Sequence, residues 1–171
     1  EAPNVVTFSF RSPSGALFNH EPGQFITLEL PVPGGPLHRT YTISSSPSRP
    51  VSLTVTVKAQ PDSIGTRWMI DNLEKGMRLK AIGPAGRFSI TEHPSEKYLF
   101  ISAGSGITPM VAMTTWLYDS GEEPDVVFKR RDRRPIWQAV ADFFWPRGGW
   151  TRAARYVKHR LHRLPLGLDP H

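Results

Sequence analysis

Four short runs carry residue types whose chemistry is more specific than packing. The first is Arg39-Thr40-Tyr41-Thr42. A guanidinium can clamp a phosphate through two parallel N–H···O bonds. In an extended chain the tyrosine two residues on projects to the same side and can lie against a planar ring. The next hydroxyl, on Thr42, can hydrogen-bond a ring nitrogen. The second run is Ser63-Ile64-Gly65-Thr66, a glycine and hydroxyls where a helix should start. A helix start gathers unpaired N–H groups and the positive end of the dipole, which suits an anion. The third, Gly83-Pro84-Ala85-Gly86-Arg87-Phe88, is a tight turn that brings backbone close to a neighbour. The fourth, Gly104-Ser105-Gly106-Ile107-Thr108-Pro109, follows an apolar run and precedes a helical pattern. There, backbone N–H groups can receive a dinucleotide phosphate. Taken singly, each run has an ordinary account as a strand, an N-cap or a turn.

Such runs need elements to hold them. Ile26, Leu28 and Leu30 alternate with Thr27 and Glu29, and Leu53, Val55 and Val57 alternate with Thr54, Thr56 and Lys58. Both patterns predict half-buried strands. Pro33-Gly34-Gly35-Pro36 and Ser46-Pro47-Ser48-Arg49-Pro50 separate the runs as turns. Short strands at this spacing, up to about Gly83, predict a small antiparallel barrel. One helix interrupts it near 66–73, with Trp68, Met69 and Leu73 on one face. The pattern changes at Tyr98. Tyr98-Leu99-Phe100-Ile101 is a continuous apolar run, as in a parallel strand covered on both faces. A helix is expected next, with Thr108 as N-cap and Pro109 in its first turn, to about Tyr118. Pro124-Asp125-Val126-Val127-Phe128 reads as the following strand, so the segment opens a βαβ unit.

The chain has 171 residues, of which 39% are hydrophobic and 21% charged, enough for a packed core. The 14 Gly and 17 Pro fit many turns between short strands. With 0 Cys, a disulfide scaffold, thiolate metal sites, cysteine nucleophiles and a cysteine-held iron–sulfur cluster within this chain are excluded. No apolar run reaches the ~20 residues that span a bilayer, and no signal peptide is evident, so a cytoplasmic setting is the default expectation. No metal site is expected. His20, His38 and His93 lack ligand spacing, and the pair His159 and His162 has no third ligand nearby. Charge is uneven: residues 1–128 carry 10 Lys and Arg against 12 Asp and Glu, whereas residues 129–171 carry 11 against 3. Such a shift suggests two segments with different partners.

In this order and spacing the four runs resemble the ferredoxin–NAD(P)H reductase superfamily, in which an antiparallel flavin-binding barrel precedes a nucleotide-binding α/β domain. The match runs from about Val5 to Phe128. PGQFITLEL, RTYTISSSP, VTVKAQ, GPAGRFSI and ISAGSGITPM look closest to reductase components that feed electrons to iron–sulfur partners, including hybrid-cluster protein reductases. The resemblance implies a six-stranded FAD-binding barrel over 1–95, a shortened NAD(P)-binding α/β domain over 96–128, and a separate tail over 129–171. It implies that Arg39 holds the FAD pyrophosphate, Tyr41 packs on the isoalloxazine, and Thr42 lies near the reactive N5 as the catalytic contact. Val57 and Lys58 would line the flavin edge, and Ser63, Gly65 and Thr66 would bind the diphosphate at the helix start. Gly104, Gly106, Thr108 and Pro109 would face NAD(P)H. Ser63 stands where the family usually has glycine, and a serine N-cap can serve there. The remainder of the nucleotide domain and its Cys-Gly-Pro type loop do not follow Phe128, which weighs against NAD(P)H turnover by this chain alone. The implied partner is an iron–sulfur electron acceptor outside the chain.

The tail has its own resemblance. PRGGWTRAARYVKHRL is similar to the amino-terminal stretch of a family of small bacterial membrane proteins of unknown function. Ala153, Val157, Leu161 and Leu164 fall on one helical face, with Arg152, Arg155, Lys158, His159 and Arg163 elsewhere. With Trp137, Phe143, Phe144, Trp145 and Trp150, this fits a basic amphipathic segment peripheral to an anionic membrane surface. Packing of the apolar stripe on the exposed α/β sheet is the alternative. Nucleic acid ranks below both, because no aromatic-interleaved recognition motif accompanies the charge. Three readings of the whole chain follow: a flavin reductase module, a membrane- or partner-binding module acting through its tail, or two reading frames joined near Asp125–Phe128 with no function as a unit.

Overall fold

The computed structural model describes residues 5–122 and 124–130. Strand β1 (Val5–Phe10) pairs antiparallel with β4 (Leu53–Lys58), from Val5↔Lys58 to Phe10↔Leu53. Strands β2 (Phe25–Val32), β3 (Gly35–Thr42) and β5 (Lys80–Ala85) form a second antiparallel sheet in the order β3-β2-β5. The register Val32↔Gly35 leaves only Pro33 and Gly34 in the hairpin loop, with Gly34 at φ 97° where a side chain would be strained. The two sheets meet at an Ile43↔Val55 bridge, where the Ser44 N–H donates to the Thr54 carbonyl at 2.8 Å.

Alternation decides what each face does. Ile26, Leu28 and Leu30 from β2 and Leu53, Val55 and Val57 from β4 point inward, and with Ile43 and Met69 they form the core. The outward faces carry cross-strand hydroxyl pairs, Thr27–Thr40 at 2.9 Å and Thr7–Thr56 at 3.0 Å. Helix α1 (Ile64–Asn72) begins two residues earlier than the apolar periodicity suggests, because Ser63 caps it: its Oγ accepts from the Thr66 N–H at 3.4 Å.

Five strands build this part, whereas six were expected. After β5 the chain turns back on itself in place of laddering: the Ser89 N–H donates to the Arg87 carbonyl at 2.9 Å, and the Ser89 and Thr91 hydroxyls pair at 2.7 Å. β5 itself ends in a bulge opposite Phe25 and Thr27.

Strands β6 (Lys97–Ser102) and β7 (Asp125–Arg130) pair in parallel through a 3-10 turn at Gly104–Gly106 and helix α2 (Ile107–Ser120). This is the expected βαβ unit. α2 packs on it through Met110, Met113 and Leu117 against Ile90 and Phe100. Thr108 is inside the helix and does not cap it. The cap position is Gly106, which has no side chain to offer, and the Thr108 hydroxyl donates to the Ser105 carbonyl at 3.1 Å. Lys129 and Arg130, expected to open the tail, continue β7 in register with Ile101 and Ser102. The remaining tail expectations, over 131–171, lie outside the described residues. Among the described residues no helix is long and apolar enough to cross a membrane, and no cluster of three or more His, Asp and Glu could hold a metal.

Candidate functional site

The site residues fall into two groups. The first lies between β3 and the start of α1. Arg39 and Tyr41 are in register with Leu28 and Ile26, whose side chains are buried, so both project from the inner face of an edge strand. Arg39 is exposed, and its Nη1 donates to the His38 carbonyl at 2.9 Å. No carboxylate among the described residues pairs with it within 4.0 Å. Tyr41 packs its ring on the core, yet its hydroxyl is buried and lacks a hydrogen-bond partner among the described residues. Burial pushes its phenol above the ordinary range, and the Arg39 charge opposes that shift.

Gly65 brings the helix start against this strand. A Cβ there would stand 3.1 Å from Arg39 Cγ, 3.4 Å from Leu30 Cδ1 and 3.5 Å from Leu37 Cδ2. The first turn of α1 carries no acidic residue, so its N–H groups and the positive end of the dipole meet no carboxylate within the turn. The neighbouring Thr66 hydroxyl is buried and also unpartnered among the described residues. The Arg39 side chain thus meets the α1 start at Gly65, while Tyr41 on the same strand face and Thr66 in the first turn each bury a hydroxyl with no partner among the described residues. Buried hydroxyls are rarely left unpaired without a ligand or water to satisfy them. This donor set fits a molecule with a planar ring and a phosphate, as FAD has.

Three further predicted residues lie on β3 and β4. Thr42 is opposite Phe25 on the alternate face of β3 from Tyr41. Val57 is 3% exposed and belongs to the core cluster on which Tyr41 packs. Lys58 is exposed at the end of β4. The glycine turn after β5 approaches Phe25: a Cβ on Gly86 would stand 2.9 Å from that ring.

The second group sits at the carboxyl end of β6. Gly104 (φ 55°) and Gly106 are exposed, with open space where a Cβ would be. Pro109 is half-buried in the first turn of α2. Ser102, the last residue of β6, has a buried hydroxyl with no partner among the described residues, and the sequence reading missed it because a lone strand-end serine carries no motif. An open apolar cleft of about 430 Å³, among Phe88, Ile90, Ile101 and Met113, includes none of the predicted site residues.

A family model described as the oxidoreductase FAD-binding domain matches residues 1–90. The chain is 81% identical over 135 residues to the stachydrine N-demethylase reductase subunit of Rhizobium meliloti (strain 1021), a match covering 79% of this chain and 38% of that protein. It is 44% identical over 135 residues to the glycine betaine monooxygenase reductase subunit of Pseudomonas aeruginosa (strain UCBPP-PA14), covering 79% and 37%. The chain thus spans less than two-fifths of the length of these curated relatives. Among solved structures, phthalate dioxygenase reductase superposes with a TM-score of 0.65 at 24% identity, covering 82% of this chain and 42% of that one. A ferredoxin NADP+ reductase from Neisseria gonorrhoeae with bound FAD and NADP gives 0.60 at 18%, covering 75% and 52%. These two likenesses are of fold.

Proposed function

This chain belongs to the oxidoreductase FAD-binding domain family, within the ferredoxin–NAD(P)H reductase superfamily, and from that premise we propose that it is the flavin-carrying part of a reductase component serving an oxygenase. FAD is its cofactor. The proposed electron donor is NAD(P)H, and the proposed acceptor is an iron–sulfur oxygenase component acting on an N-methylated betaine. The latter rests on the names of the two relatives, the reductase subunits of a stachydrine N-demethylase and of a glycine betaine monooxygenase.

FAD, when bound, supplies hydride acceptance and one-at-a-time electron release. The chain's own residues bind and orient it. Arg39 holds the pyrophosphate with its unpaired guanidinium, helped by the α1 N-terminus beside Gly65. Tyr41 lays its ring along the isoalloxazine and donates its hydroxyl, and Thr66 supplies a second donor. Thr42, on the other face of the strand, contributes through its backbone. Gly104 and Gly106 leave room for the nicotinamide nucleotide, with Ser102 as the nearest unused donor. In this reading the two antiparallel sheets act as the two sides of one flavin-binding barrel. The observation that carries the proposal is the guanidinium–phenol pair on one face of β3 against a glycine helix start.

Reconstitution with FAD tests it. The full chain should retain a flavin visible spectrum through gel filtration, and Arg39→Ala combined with Tyr41→Ala should lose it. A parent chain that stays colourless, or a double variant that keeps its flavin, would overturn the assignment.

A further inference from the structure

Helix α2 meets the barrel part at Gly23 and again at Arg49. Gly23, in the loop before β2, sits at φ 101°, and a Cβ there would stand 2.5 Å from Met113 Cε and 2.1 Å from the Phe88 carbonyl oxygen. The Met113 side chain thus occupies the space that Gly23 leaves. At the far end of the helix, Asp119 accepts from Arg49 Nε at 3.1 Å and Nη2 at 2.9 Å, and also from the Ser48 hydroxyl. We propose that Arg49 and Asp119 are positioning residues: their ion pair pins α2 as a lever over the Gly23–Met113 contact and so sets where the Gly104–Thr108 turn stands relative to β3. This rests on the flavin reading above.

Asp119 is in the last turn of α2, where the helix dipole disfavours a carboxylate. A residue that is locally unfavourable needs a partner elsewhere, and Arg49 supplies it in the two-point geometry that fixes direction as well as distance. Arg49 is itself tied into the loop between β3 and β4. Its N–H donates to the Ser46 carbonyl at 3.1 Å, the Ser46 and Ser48 hydroxyls pair at 2.6 Å, and Ser45 Oγ accepts from the Thr54 N–H at 3.1 Å. Three residues separate Ser46 from Thr42, the end of β3.

The lever dimensions follow from helix geometry. Met113 precedes Asp119 by about 9 Å of helix and follows Gly106 by about 10 Å, at ~1.5 Å per residue. A shift of the Asp119 end about this fulcrum moves the Gly104–Thr108 end by a similar amount in the opposite sense. Transfer between two bound groups tolerates little error, and a misplacement of ~1 Å can cost on the order of a hundredfold in rate. The pair is two-pronged and one-sidedly covered, with the Arg49 side chain 68% and the Asp119 side chain 14% exposed.

The absence of cysteine makes the test direct. Exposed sites on each half, Ile82→Cys on β5 and Val111→Cys on α2, accept a nitroxide pair, and pulsed electron resonance reads the distance between them in the full chain, with and without FAD. The expected result is a narrow distribution that Asp119→Asn or Arg49→Ala broadens about twofold. The swap Arg49→Asp with Asp119→Arg should narrow it again, while FAD affinity stays within about twofold in every variant. Distributions unchanged by both single variants, or broadening that the swap fails to reverse, would overturn the lever. A parent that binds no FAD would sink the flavin reading, whereas the FAD-free distributions still decide the lever.

Discussion

The missing side chain of Gly65 leaves room for Arg39: a Cβ on Gly65 would approach Arg39 Cγ to 3.1 Å. That distance is tight but falls on a flexible stem, so the neighbour can give way. Gly65→Ala therefore separates binding from folding. Alanine inside a helix gains up to about 1 kcal/mol over glycine. The displaced guanidinium should cost about tenfold in FAD affinity, equivalent to ~1.4 kcal/mol. Urea unfolding without FAD should show an unchanged or higher midpoint, and a flavin-fluorescence titration should show the weaker binding. Loss of stability with unchanged affinity would show that Gly65 serves packing alone.

Tyr41→Phe should act in opposite directions on the free and the loaded chain. The buried hydroxyl has no partner among the described residues, and such a group costs about 1–3 kcal/mol. Removing it should stabilise the FAD-free chain by about 1 kcal/mol while weakening FAD binding about tenfold, if the hydroxyl donates to the cofactor. Paired urea titrations with and without FAD read both effects. Equal destabilisation of both forms would place the hydroxyl in an unrecognised internal bond.

Strand patterns were legible wherever one face is apolar throughout, as at Ile26, Leu28 and Leu30 or Leu53, Val55 and Val57. The phosphate- and ring-binding pair was legible for the same reason: a two-residue offset on a strand fixes the shared face of Arg39 and Tyr41. The sixth barrel strand came from the resemblance, and among the described residues the segment after β5 makes local contacts, with the Ser89 and Thr91 hydroxyls paired, in place of a ladder. Thr42 was read from its hydroxyl and Val57 from the resemblance; alternation puts Thr42 on the face opposite Tyr41 and the Val57 side chain in the core. Arg49 and Asp119 lie 70 residues apart, and no local pattern joins them. The only hint was an acid in the final turn of a helix, where a base is the favoured residue.

Gly23→Ala should be the most damaging single methyl addition at the junction of the halves. Its φ of 101° is strained for any L side chain, and the new carbon would overlap the Phe88 carbonyl oxygen and Met113 Cε. Overpacking and strain together predict a loss of about 3 kcal/mol. Combining it with Met113→Ala should relieve only the side-chain part, since the carbonyl contact remains. Denaturant midpoints for the two single variants and the double one read this coupling, and a Gly23→Ala chain as stable as the parent would show that the loop moves aside freely.

His20 should make the chain lose stability as pH falls below neutrality. It is buried, with Nε2 3.3 Å from the Ser45 carbonyl. Burial lowers its pKa below the ordinary 6.5, and the hydrogen bond to the Ser45 carbonyl only partly opposes this. The unfolded chain therefore takes up a proton at a higher pH than the folded one. Stability is complete above the unfolded value of 6.5, falls as pH drops from there through the lowered folded value, and levels off beneath it. His20→Gln keeps a side-chain donor for Ser45 but cannot titrate, so its midpoint should depend less on pH in this window. Urea midpoints for both chains between about pH 7.5 and pH 5 make the comparison. Parallel slopes would assign the acid sensitivity to groups other than His20.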